Sequence, residues 1–155
     1  MHLRSSDRSH LDAAVAEVFE TMAFAVVEPD EDADLDWDRG DLAWAQMAIY
    51  SPPLGLMTLA VPPELAAELL ETIGGGFDEC PKSAVTDLLA ELANTLAGAW
   101  AAHVCPEHGE LRVGLPVSAD GPPPRSDSPQ VCAVYTVDES RFGVMVAECS
   151  EPPPE

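Results

Sequence analysis

The sequence predicts an α+β domain, a largely antiparallel sheet covered by helices, and three observations carry that reading. Apolar residues make up 46% of a 155-residue chain, enough for one sizeable core in a chain too short for two. Runs with apolar residues three and four apart are interspersed with short β-type runs bounded by proline, glycine and acidic turn residues. Their order, helix, strand, strand, helix, helix, strand, strand, strand, leaves strands adjacent along the chain, which favours antiparallel pairing over the strand-helix-strand alternation of a parallel sheet. One domain over residues 1–149 is expected, with the tail 150–155 (SEPPPE) disordered.

Each element has a local reason. Over residues 9–24, Leu11, Val15, Val18, Phe19 and Met22 form one helical stripe, and Ser9 with Asp12 has the form of a capping box. The stretch 28–41 (EPDEDADLDWDRGD) is acidic and without period, and reads as a surface loop. Residues 42–50 and 55–61 are apolar runs around Ser51-Pro52-Pro53-Leu54, the pattern of a hairpin. Pro62 and Pro63 open a short helix over 64–73 that Gly74-Gly75-Gly76 ends; these glycines follow a helix, so they form a C-cap and linker rather than a phosphate cradle. Residues 83–102 carry the longest helical pattern and end before Pro106. Three strands are expected last, at 111–117, 131–137 and 142–148, with a loop over 118–129 and a connection at 138–141.

Charge narrows the function. There are 28 Asp and Glu against 7 Lys and Arg, a net charge of −21, with Lys82 the only lysine. Such a field repels nucleic-acid phosphates and anionic lipid headgroups, so neither nucleic acid nor a membrane surface is an expected partner. No run approaches the length of a membrane helix, and the basic N-terminus has no apolar run behind it, so a cytoplasmic location is expected. Cys80, Cys105, Cys132 and Cys149 are widely spread and read as free thiols.

The chain also resembles itself. A shift of 74 residues lays residues 16–23 (AEVFETMA) over residues 90–97 (AELANTLA) with four identities, predicting an internal helix-strand-strand pseudo-repeat. Glu20 stands where the second copy has Asn94, and Phe24 where it has Gly98. On the second helix Val85, Leu88, Leu89, Leu92, Leu96, Ala99 and Trp100 form the core side. Asp87, Glu91, Asn94 and Gly98 form a polar row opposite, flanked by the small Ala90, Ala97 and Ala101. A solvated face explains most of such a row. Asn94 is its unusual member, because asparagine is unfavourable inside a helix.

Asp87-x3-Glu91-x2-Asn94, followed after 21 residues by Pro116 in Gly114-Leu115-Pro116-Val117, resembles the signature of the CheC/CheX/FliY family of bacterial chemotaxis phosphatases, one residue short in its last spacing. Element order and the two-helix repeat extend the resemblance over nearly the whole chain. It implies a CheC-like fold and hydrolysis of the aspartyl phosphate of a CheY-like response regulator. In that role Glu91 would pair with the regulator's active-site lysine and Asn94 would orient the attacking water, with Asp87 and Gly98 in the docking surface. The catalyst would need no cofactor of its own, since the Mg ion belongs to the regulator. Glu20 in place of the amide implies one working helix, as in CheX-like members, which are dimers; a homodimer is therefore implied. The alternative is a non-catalytic dimeric adaptor of the same fold that binds a two-component signalling partner.

Two metal readings are weaker. His103, Cys105 and His108, with Cys80 elsewhere, match no common zinc spacing. In the acidic stretch, a calcium loop starting at Asp34 would put Arg39 where glycine is required and Ala45 where glutamate is. No metal site is expected.

Overall fold

The computed structural model describes residues 5–23, 25–30, 35–50, 55–74, 82–104, 112–124, 130–137 and 139–148. Along the chain these form helix α1 (Ser5–Ala23), strands β1 (Glu28–Pro29), β2 (Ala43–Ile49) and β3 (Gly55–Val61), and helices α2 (Pro63–Gly74) and α3 (Lys82–Val104). Strands β4 (Val117–Asp120), β5 (Gln130–Val137) and β6 (Ser140–Glu148) follow. The strands make one sheet in the order β1-β5-β6-β3-β2-β4, with every neighbouring pair antiparallel.

That order contains the internal repeat. Exchanging β1 with β4, β2 with β5 and β3 with β6 gives the same sheet read from its other edge. Each half is a helix and three strands, and each lends its first short strand to the other half's hairpin: β1 pairs with β5, and β4 with β2. The halves join at the sheet centre, where β3 and β6 pair from Gly55↔Glu148 to Ala60↔Gly143. The repeat unit is therefore one strand longer than the sequence similarity predicts, and α2 has no counterpart among the described residues.

Alternation along the strands sends Ala45, Met47, Leu59, Tyr135, Phe142 and Val144 to the face that the helices cover. Helix α1 buries Leu11, Val15, Val18 and Phe19 there, with the Phe19 ring stacked on Phe142 at 4.6 Å. From α3, Leu89, Leu92, Leu96 and Trp100 are fully enclosed, each contributing on the order of 1.5–3 kcal/mol. This packing fixes which way α3 faces, and so which residues it leaves outside.

Four expectations are corrected. Helix α1 begins at Ser5, so Ser9 and Asp12 lie inside it and cap nothing. Asp12 instead accepts hydrogen bonds from the Tyr135 hydroxyl at 2.7 Å and from Arg8 Nε at 3.2 Å. Burial and the Asp12 carboxylate push the Tyr135 phenol well above its ordinary pKa. The acidic stretch is not merely a surface loop: Glu28–Pro29 forms β1, and Leu35 and Trp37 are buried on the outer face of the sheet with Trp44, Val134 and Met145. Trp37 lies over Gly143, where a Cβ would collide with its ring and come within 2.9 Å of Leu35 Cδ2. The strand expected at 111–117 is, in the described part before Pro116, a single bridge from Val113 to Ile49, and β4 runs through 117–120, from the last residue of that expected strand into the stretch read as loop. Pro116, which has no N–H to donate, separates the two. Finally, Ala97 and Ala101 are buried rather than flanking the polar row outside.

The strand pair 43–49 with 55–61 lies close to the expected hairpin, and β5 and β6 lie close to the strands expected at 131–137 and 142–148. Phe24, Gly75, Gly76, Cys80, Cys105, Pro106, His108, Cys149 and the tail 150–155 lie outside the described residues.

Candidate functional site

Because α3 is held by its leucines and Trp100, its opposite side is set by helical geometry alone. Asp87, Glu91 and Asn94 are exposed and Gly98 is half-buried, so the four follow one another along the outer surface at spacings of four, three and four. Among the described residues, no hydrogen bond or ion pair engages the side chains of Asp87, Glu91 or Asn94. The Glu91 backbone is engaged locally, where the Thr95 hydroxyl donates to its carbonyl at 3.0 Å. An acid and an amide one turn apart, both uncommitted, can meet a cation and a polar group on another molecule at the same time.

The counterparts on α1 differ in just this respect. Glu17, which the repeat aligns with Glu91, is taken up by His103 from the last turn of α3, Nε2 to Oε2 3.1 Å. Glu20, aligned with Asn94, is exposed and is an acid rather than an amide. It would set a negative charge where the α3 helix offers a neutral group.

Between the helices lies a cleft of about 280 Å³. From α1 it is lined by Glu17, Val18, Thr21 and Met22, and from α3 by Thr95, Gly98 and Ala99. Glu17 against His103 at one end, and Met22 sharing the cleft with Thr95, give the register of an antiparallel helix pair. Gly98 belongs both to the polar row and to the cleft wall. Sequence reasoning singled out Gly98 and read Glu17 only as part of a silent helix, and it did not single out Thr21, Thr95 or the pairing of His103 with Glu17. The signal was present in the repeat, which lays Thr21 on Thr95 as well as Glu17 on Glu91.

Among the described residues no group of three His, Cys, Asp or Glu stands close enough to hold a metal ion, and no helix is long and apolar enough to cross a membrane. Pro116 is exposed, beside the edge where Gly114 N donates to the Ala48 carbonyl at 2.8 Å.

Comparison with protein-family models and with curated proteins gives no match. Comparison with solved structures does: the antiparallel six-strand sheet with its covering helices is the fold of CheC-like proteins. The chain aligns over nearly its full length with structures of CheX. For CheX from Vibrio vulnificus the TM-score is 0.74 at 16% identity, covering 95% of this chain and 99% of that one. For CheX from Desulfovibrio desulfuricans it is 0.76 at 16% identity, covering 93% and 99%. A chain of the CheX-CheY-BeF3-Mg2+ complex from Borrelia burgdorferi aligns with TM-score 0.67 and 17% identity, covering 90% and 95%. The likeness is one of fold, which a conserved pattern of buried and exposed positions can maintain after most residues have changed.

Proposed function

We propose that this protein is a phosphatase that hydrolyses the aspartyl phosphate of a CheY-like response regulator. The observation that carries the reading is the uncommitted row Asp87, Glu91, Asn94 on the outer face of α3, in a fold shared with CheX, one example of which was crystallised with CheY. Glu91 would pair with the regulator's lysine and Asn94 would enter its pocket. Asp87 would add to the docking surface, and Gly98 would allow close approach.

An acyl phosphate is already activated, so a catalyst gains most by holding water in line with the bond to be broken. An amide suits this task because it can donate and accept at once. Asn94 would orient the water so that its oxygen bonds to phosphorus as the bond between phosphorus and the aspartyl oxygen breaks. The carboxylate then leaves with the electron pair, and the water's protons depart on inorganic phosphate. The Mg ion on the regulator would offset the phosphoryl charge, so this chain needs to supply no metal. The protein would act as a homodimer, the assembly implied by its resemblance to CheX.

The test is phosphate release from a panel of phosphorylated receiver domains of the same genome, with the wild-type protein and with Asn94→Ala. Faster release from at least one domain, lost in the variant, is the expected result. A domain that binds in its activated form but loses phosphate no faster would overturn the catalytic reading in favour of an adaptor.

A further inference from the structure

We infer that the cleft between α1 and α3 takes a lysine or arginine side chain of the regulator, as a second anchor beside the Glu91 and Asn94 contacts; this rests on the reading that the α3 row docks a receiver domain. About 280 Å³ falls just below the roughly 300–1,000 Å³ of small-molecule sites, and suits one long side chain. Val18, Met22 and Ala99 give the cleft apolar walls, while Gly98 leaves its α3 side without a side chain. An alkyl stem can be buried against such walls if its polar head reaches acceptors at the rim.

The rim supplies acceptors of negative sign. Glu17 stands there, 62% exposed, with one oxygen on His103 and the other without a partner among the described residues. The Thr21 and Thr95 hydroxyls are the other polar groups on the lining. Glu20, Glu91 and Asp87 extend the negative surface along the same two helices, and no lysine or arginine follows Arg8 on α1 or Lys82 on α3. A cationic side chain with an aliphatic stem matches both the walls and the charge. An anionic one meets like charge, and a purely apolar one leaves Glu17 facing it.

Gly98 ties this cleft to the candidate catalytic row. A receiver domain that brings its phosphorylation pocket to Asn94 therefore lays adjoining surface over the cleft. The anchor is remote from the water that Asn94 would hold, so it should raise affinity without changing the chemical step. Receivers with a lysine or arginine at that place would be preferred substrates, and receivers lacking it would dock weakly.

The experiment uses the full chain and the receiver domain whose phosphate release it accelerates most. Glu17→Gln keeps the shape and removes the charge, and Thr21→Phe fills the cleft from an exposed position. Expected are a KM raised about fivefold by the first and about tenfold by the second, with kcat within twofold of wild type and folded stability retained. Replacing each surface lysine and arginine of the receiver by alanine should find one position whose effect disappears in the Glu17→Gln background. Unchanged KM in both variants, or a fall in kcat alone, overturns the anchor while leaving the phosphatase reading standing. If the wild-type protein accelerates release from no receiver, the phosphatase reading falls and the anchor falls with it.

Discussion

Replacing Asn94 by alanine should make the protein more stable and much less active. The amide faces out from α3 and engages nothing among the described residues, so its removal breaks no contact. Alanine is the better helix former, by about 0.5 kcal/mol at an interior position. For a 155-residue chain this raises the melting temperature by about 1–2 °C. Activity should move the other way. Loss of one preorganised hydrogen-bonding group at a reacting centre costs about 10²–10³ in rate, or about 2.7–4 kcal/mol of transition-state stabilisation. The opposite signs are the point, since an asparagine kept for structural reasons would lower stability when removed. Thermal unfolding followed by circular dichroism gives the first quantity, and phosphate release from a phosphorylated receiver domain gives the second. A melting temperature lowered by several degrees would show that Asn94 supports the fold, and release within about threefold of wild type would remove it from the mechanism.

Glu91→Lys should weaken binding of the activated receiver domain by about tenfold or more, and more than Glu91→Ala, because it adds like-charge contact to a lost pair; titration calorimetry showing equal affinities would sink the proposed lysine contact. Gly143→Ala should destabilise by about 1–3 kcal/mol, because its Cβ has no room beneath Trp37 and Leu35. In a Trp37→Ala background the same change should cost markedly less, with only the flexible end of Leu35 left in the way, and an undiminished loss there would show that the clash lies elsewhere. Tyr135→Phe should flatten the alkaline loss of stability. Tyr135 keeps its proton in the folded state above pH 10, where the unfolded phenol releases its own, so the unfolded state binds fewer protons and wild-type stability falls as pH rises past about 10. Identical melting curves for the variant and the wild type between pH 9 and 11 would contradict the buried Asp12 contact.

What the sequence determines by itself is whatever depends on local period. The face that α3 turns outward follows from the spacing of Leu88, Leu89, Leu92, Leu96 and Trp100, so Asp87, Glu91 and Asn94 are readable as one row without a structure. The hairpins at 43–61 and 130–148 follow from runs whose partners are close in sequence. Tertiary structure decides what depends on distant partners. Asp12 has the spacing of a cap, but Tyr135, on β5, takes up its carboxylate. Leu35 and Trp37 sit in an acidic run with no period, and only the open position over Gly143 shows why they are buried. Strands β1 and β4 are too short to leave an alternating pattern, since each exists only by pairing with the other half's hairpin. The cleft, and the difference between the engaged Glu17 and the uncommitted Glu91, arises where α1 and α3 pack together. A helix encodes its own faces in its residue spacing, whereas which face meets which is fixed by the packing of the whole core.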